Sequence, residues 1–284
     1  MALPCPYAPR RWSMEEFDVA VVGGGPAGAA AALHLRRTEL KVVVIERGRI
    51  GGLVWNASRV ENYPGFPGGV TGRELAELFA SQLEMAGVEV VKDEVLRVEP
   101  HPFLLHGRRG LYRCRYLILA TGTRPRRLPL RGIPVYYELL EVPQGVRRIA
   151  VVGGGDVAFD YALSCADRGT EVFLILRSPP KAHPGLQEEV RQRPEISLFI
   201  GASIEATDGG LVLKGREGII PLEVDGVLGA IGRLHEDRLL KGIEGVEGLH
   251  LAGSLHLEAP LRHVGIAVGD GIRAAYQTLK EVEG

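Results

Sequence analysis

Short apolar runs alternate along the chain with small-residue stretches of helical period, and a glycine cluster interrupts the alternation twice. Residues 18–23 (Asp-Val-Ala-Val-Val-Gly) predict a buried strand running into Gly23-Gly24-Gly25-Pro26-Ala27-Gly28. An Ala-rich helix is predicted from residue 29 to about 37, then a second strand over 41–45 that ends at Glu46. The same order returns downstream. A strand over 148–152 leads into Gly153-Gly154-Gly155-Asp156-Val157-Ala158, a helix follows to about 167, and a strand over 170–176 ends at Arg177. Strands that alternate with helices predict βαβ units and parallel sheets. The fold class expected is α/β, with two Rossmann-like dinucleotide-binding domains.

Each part of the repeated unit has a physical task. Gly23 allows a tight turn, Gly25 lets the backbone approach a pyrophosphate, and Gly28 lets helix and strand pack closely. The helix N-terminus offers unpaired N–H groups and the positive end of a dipole. One such glycine cluster is weak evidence; two, each inside a full βαβ context, predict two nucleotide sites. The units differ where specificity is set. Glu46 suits a free ribose 2′-hydroxyl, whereas Arg177 and Ser178, with Lys181 nearby, suit a 2′-phosphate. The first site is therefore expected to hold FAD and the second NADPH, in preference to NADH. Arg177 as a solvated strand-end charge is the alternative.

The 284 residues suggest about two domains. A net charge of -1 gives no global reason to expect nucleic acid or an anionic membrane as a partner. No apolar run approaches the roughly 20 residues that cross a bilayer, and residues 1–16, without an apolar core, are expected to form a loose tail. Cys5, Cys114 and Cys165 are far apart, which fits a reducing compartment and predicts a cytoplasmic location. No metal site is expected. Of the 34 basic residues only six are Lys, and Asn occurs twice, a bias that suits a thermophile or a GC-rich genome.

Taken together, several segments resemble the low-molecular-weight thioredoxin reductases. They are residues 23–28, Gly51-Gly52, the stretch 60–69 with Glu61-Asn62 and Pro64-Gly65, Ala120-Thr121-Gly122, the second glycine cluster, and Leu251-Ala252-Gly253. They span nearly the whole chain from Phe17 onward, in family order. The resemblance implies an FAD domain of residues 17–122 and 243–284, an inserted NAD(P)H domain of residues 123–242, and a homodimer whose domains rotate. For FAD it implies contacts from Gly23, Gly25, Pro26, Ala27, Gly28, Glu46, Arg47, Gly52, Leu53, Asn62 and Val95. Ala120, Thr121, Gly122, Gly253, Ser254, His263 and Val264 complete that set. For NADPH it implies Gly153, Gly155, Asp156, Val157, Ala158, Arg177, Ser178, Lys181, Ile231 and Gly232.

Three departures bear on function. The family's Cys-x-x-Cys is absent: the matching stretch is Val135-Tyr136-Tyr137-Glu138-Leu139-Leu140-Glu141, and Cys114 and Cys165 are expected to be buried apolar residues. Ser254 stands where the family has an Asp, and Leu53 where it often has Gln. The function expected is an FAD-dependent NAD(P)H oxidoreductase without a dithiol relay, passing electrons from NADPH through flavin to an unidentified acceptor. A partial likeness to thioredoxin reductase-type ferredoxin–NADP reductases, carried by residues 153–163 and Lys181-Ala182-His183, makes ferredoxin one such acceptor. Arg124, Arg126, Arg127 and Arg131 would face an acidic partner, or form an ordinary solvated basic face. His263 has two readings, a flavin-edge residue or an ordinary helix N-terminal residue. The alternative function is a catalytically relaxed flavin or nucleotide sensor, or a subunit that needs a partner chain.

Overall fold

The structure is a computed structural model that describes residues 14–207, 210–215 and 218–284. Residues 1–13 of the expected tail, Cys5 among them, lie outside the described residues. Met14, Glu15 and Glu16 do not belong to a tail. They open strand β1 (Met14–Val22), which pairs in parallel with β6 (Leu111–Leu119) from Met14↔Leu111 to Val22↔Leu119. The ladder extends below the apolar run because backbone pairing does not require apolar side chains at a strand's exposed end.

The described residues divide into two compact units, those of 14–52, 76–122 and 235–284 in one and those of 53–75 and 123–234 in the other. In the first, β1 lies beside β2 (Val42–Glu46), which pairs in turn with β3 (Glu89–Lys92), all parallel. Strands β4 (Val95–Glu99) and β5 (Phe103–Gly107) extend the sheet beyond β6 as an antiparallel meander. Helix α1 (Pro26–Leu35) begins three residues earlier than the pattern predicts, because Pro26 occupies the first helical turn, where a missing N–H costs nothing. Helix α2 (Gly72–Met85), whose residues 72–75 count with the second unit and the rest with the first, opens on a Thr71–Glu74 capping pair.

In the second unit β7 (Thr123–Pro125) leaves the first sheet, and the short β8 (Val135–Tyr136) forms one edge of a five-stranded parallel sheet. Its central strand is β9 (Arg148–Val152), followed by helix α3 (Asp156–Ala166) and β10 (Glu171–Leu176). Helix α4 (Pro184–Arg191) and β11 (Ile196–Ile200) come next. Strands β12 (Ser203–Thr207), β13 (Gly210–Gly215) and β14 (Gly218–Pro221) form a separate antiparallel sheet. Strand β15 (Gly226–Gly229) then returns to pair with β9, giving the order β11-β10-β9-β15-β8. Ile149, Val151, Phe159 and Leu174 are fully buried at the centre of that sheet and its helices.

The return path is β16 (Arg233–His235), paired with β7, then β17 (Leu249–Leu251) beside β6, then helix α5 (Val264–Glu283) against α1. Two stretches group differently from the expected domain limits. Residues 53–75 join the second unit: Ser58 donates its amide (3.2 Å) and its hydroxyl to the Asp160 carboxylate, and Asn56 donates to Glu138 Oε2 (3.1 Å). Residues 235–242 join the first, where Leu239 and Leu240 pack on its core. Among the described residues no helix is long and apolar enough to cross a membrane, and no cluster of three metal-ligating side chains occurs.

Candidate cofactor sites and the Glu138 network

The first glycine turn has one crowded and one open side. Gly23 adopts φ +104°, and a Cβ there would come within 2.4 Å of the Ala120 carbonyl oxygen. A Cβ on Gly28 would stand 1.9 Å from Gly23 O, so helix α1 sits against its strand at a distance only glycine permits. At Gly25, by contrast, a Cβ would meet nothing within 4 Å. Gly25 caps α1 without any side-chain hydrogen bond, so the first N–H groups of the helix face that opening. An open face, uncapped amides and a dipole end fit a pyrophosphate.

Glu46 uses both carboxylate oxygens locally, accepting from Gly24 N and Gly48 N at 2.6 Å each. It thereby fixes the turn as well as presenting negative charge at the strand end. Beside it opens a cavity of about 110 Å³, lined by Gly23, Glu46, Arg47, Val95 and Thr121 among others. Arg47 lies 3.9 Å from Glu94. Gly52 approaches Gly25, while Ala120, Thr121 and Gly122 close the turn from the end of β6. Gly253 (φ +68°) stands against Ala27, followed by Ser254 on the same 3-10 turn. Asp270 of α5 accepts Gly253 N at 2.7 Å and is bonded by Arg273 Nε, with His256 Nε2 also 2.7 Å away. Burial works to raise the Asp270 pKa, but these hydrogen bonds outweigh it and hold the carboxyl below the ordinary aspartate range.

The second turn repeats the arrangement. Gly153 presses on the Ala230 carbonyl oxygen and on Ala158, whereas Gly155 faces open space and caps α3 with no side-chain bond. The loop after β10 folds back onto this turn, with Lys181 N and Ala182 N both donating to Gly154 O at 2.7 and 3.1 Å. Asp156 accepts His183 N at 2.7 Å, so its carboxylate anchors the loop. Arg177, Ser178, Lys181 and the adjacent Val157 are exposed on this side. Ile231 and Gly232 lie just past β15, where Gly232 O accepts Arg126 N.

Residues 17–258 match the family model described as pyridine nucleotide-disulphide oxidoreductase. The chain belongs to that family. The thioredoxin reductase of Peptoclostridium acidaminophilum is 30% identical across 94% of this chain and 97% of its own length. The NADPH-dependent thioredoxin reductase 3 of Arabidopsis thaliana is 32% identical across 79% of this chain and 47% of its own length. Among solved structures, thioredoxin reductase of Lactococcus lactis in its FR conformation superposes with a TM-score of 0.84 at 26% identity, covering 94% of this chain and 99% of its own. The bacillithiol disulfide reductase of Staphylococcus aureus shares the fold (TM-score 0.78, 18% identity, 94% and 99% coverage). The protein is a thioredoxin reductase-like, FAD-dependent pyridine nucleotide oxidoreductase, and FAD and NADPH are the cofactors of its kind.

Glu138, in the stretch 135–141 that carries no cysteine, gathers polar partners from distant parts of the chain. Glu138 Oε1 takes Arg233 Nη1 at 2.7 Å, and its Oε2 takes Asn56 Nδ2 at 3.1 Å and Tyr161 OH at 3.2 Å. Arg233 is also bonded to Thr123 through Oγ1 and the carbonyl, and Asn56 Oδ1 accepts Leu140 N. Burial, then the Glu138 charge, pushes the Tyr161 phenol far above its ordinary range, so it stays a donor. Cys114 and Cys165 are buried, and burial pushes their thiols up to about 12 and about 11. Neither is a thiolate at neutral pH.

The structure brings Gly23, Gly25, Gly28, Glu46, Ala120 and Gly253 together around one turn, and Gly153, Gly155 and Lys181 around the other. Leu53 and Asn62 group instead with the second unit, both exposed. His263 and Val264 stand at the start of α5, with His263 an exposed residue at its N-cap. The polar set of Glu138, Tyr161, Arg233 and Asn56 was not legible in the sequence, since its members lie up to 177 positions apart (233 − 56) and obey no local spacing.

Proposed function

We propose that the chain accepts hydride from NADPH at its second nucleotide site, passes it to FAD held by the first, and delivers electrons to an external acceptor without an intramolecular disulfide. The observation that carries this reading is that Glu138, in the stretch read as the counterpart of the cysteine pair, is engaged by Arg233 and Tyr161, while both described thiols are buried and their pKa values raised. Bound FAD would supply two-electron acceptance and one-electron release, so two molecules of a one-electron carrier would be reduced per NADPH. This chain's part is to bind and orient. Open amides at the starts of α1 and α3 would hold the pyrophosphates, and Arg177 with Lys181 would face the 2′-phosphate. The acceptor we favour is a small acidic redox protein of the ferredoxin kind. Arg124, Arg126, Arg127 and Arg131 are exposed, and none pairs with an acid among the described residues. A homodimer is the assembly expected.

Anaerobic titration of the purified protein with NADPH, then NADH, tests the reading. NADPH should bleach the flavin stoichiometrically, and ferricyanide or an acidic iron–sulfur protein should restore its colour, the latter more slowly at high salt. A second reading, a flavin-dependent sensor, draws on Ser254 and on the exposed Leu53, both less polar than their family counterparts. Flavin reduction without steady NADPH oxidation by any acceptor would favour the sensor. Rapid turnover with thioredoxin, abolished by Cys114→Ser or Cys165→Ser, would overturn both.

A further inference from the structure

The chain leaves the first unit after Gly122 and re-enters it at His235, and the first buried side chain on re-entry is an acid, Glu236. Its backbone is tied to the end of β6: its amide donates to Gly122 O at 3.0 Å, and its carbonyl accepts from Thr121 Oγ1 at 2.8 Å. Its side chain is only 7% exposed and lines the cavity of about 110 Å³ beside Gly23 and Glu46. Arg238 Nε donates to Oε1 at 2.6 Å from a side chain that is itself 62% exposed, so the acid is charge-paired from the rim.

Two neighbouring acids in the cavity wall already hold several protein donors each. Glu46 takes the amides of Gly24 and Gly48, and Asp93 takes those of Glu94, Arg109 and Gly110 together with the Tyr112 hydroxyl. Glu236 Oε2 takes no donor among the described residues. Nor is it sealed in, because the sealed side-chain atoms without partners are Ser164 Oγ and His250 Nε2. A nine-tenths-buried carboxylate with an open oxygen is costly unless something donates to it. The lining also carries four carboxylates (Glu46, Asp93, Glu94, Glu236) against two guanidiniums (Arg47, Arg238). Such a wall welcomes a neutral hydroxyl and repels a phosphate.

We propose that Glu236 is a specificity-determining residue of the first site, accepting a hydrogen bond from the adenosine ribose of FAD and, with Glu46, excluding a 2′-phosphorylated adenosine. This rests on the reading that the first unit holds FAD. The test compares equilibrium binding of FAD and of 2′-phospho-FAD, each exchanged into the holoprotein and followed by flavin fluorescence, in wild type and Glu236→Gln. The expected result is opposite in sign for the two ligands: FAD weakens roughly tenfold, as for loss of a charge-assisted bond, while 2′-phospho-FAD tightens. A merely structural role would weaken both in parallel, and that result, or no change in either, overturns the proposal. Should Glu236→Gln fail to fold, Glu236→Asp keeps the charge but shortens its reach. It should then bind FAD more weakly while still rejecting the 2′-phosphate, and wild-type FAD affinity in that variant also overturns the proposal. A wild-type protein that takes up no FAD fails the underlying reading instead, a distinguishable outcome.

Discussion

On the function proposed above, donor choice would turn on single side chains. Arg177 is exposed just past β10, beside a loop whose Lys181 amide is tied to Gly154 O. A charge-assisted contact to a 2′-phosphate is worth roughly 1.5 to 3 kcal/mol, or about one to two orders of magnitude in affinity. Arg177→Ala should therefore weaken NADPH by that factor and leave NADH nearly unchanged in flavin-bleaching titrations. Equal bleaching by both nucleotides, unaltered in the variant, would reduce Arg177 to a surface charge. The thiols make a second residue-scale prediction. With Cys114 and Cys165 protonated and buried, an aromatic disulfide reagent should modify neither within hours in native protein, and both promptly in guanidinium. Fast labelling of the native protein at either position would show that its burial is wrong.

At the scale of elements, two glycines in one turn separate packing from binding. Gly28→Ala places a methyl 1.9 Å from Gly23 O, backbone against backbone, and should cost about 3 kcal/mol or more with a matching fall in Tm. Gly25→Ala has open space instead, so it should fold normally but retain FAD poorly, because the methyl takes the ligand's room. A Gly25→Ala protein as yellow as wild type would contradict this. Strand β17 and helix α5 meet at His250, whose Nε2 stands 3.4 Å from Glu281 Oε2 without a hydrogen bond. Burial, reinforced by Arg273, lowers its pKa below the ordinary 6.5, and the opposing pull of Glu281 does not restore it. Protons then bind the unfolded chain more readily than the folded one. Stability contributed by the neutral ring is present above about pH 6.5 and lost as pH falls towards the folded value. Tm should drop between pH 7.5 and 5.5 more steeply in wild type than in His250→Leu, and parallel curves would exclude His250 as the cause.

At the scale of the whole molecule, each unit should answer to its own ligand. FAD at a hundredfold excess over its Kd stabilises whatever binds it by about 2.7 kcal/mol, and NADPH does the same where it binds. Hydrogen exchange should show FAD protecting amides in residues 14–52, 76–122 and 235–284, and NADPH those in 123–234. Equal protection of both sets by either ligand would contradict separate sites. The stretch 53–75 is the informative exception. Continuous in sequence with the first unit, it is bonded to Glu138, Leu140 and Asp160 of the second, and its protection should follow the second unit.

What the sequence determined by itself is local. Backbone sterics made the two glycine turns legible at Gly23–Gly28 and Gly153–Ala158, and periodicity made the flanking strands and helices legible to within a few residues. Cysteine spacing carried the expectation that no dithiol relay operates, since Cys5, Cys114 and Cys165 form no Cys-x-x-Cys. Tertiary structure alone decided where buried charge would be satisfied. Glu138 finding Arg233 and Tyr161, Asp270 holding the Gly253 amide, and Ser58 seated on Asp160 are pairings between residues 17 to 102 positions apart, and the wall of carboxylates that Glu236 joins is likewise gathered from distant segments. No repeat marks them, because the energy that selects them is the desolvation of a carboxylate, and that exists only once the chain has closed around it.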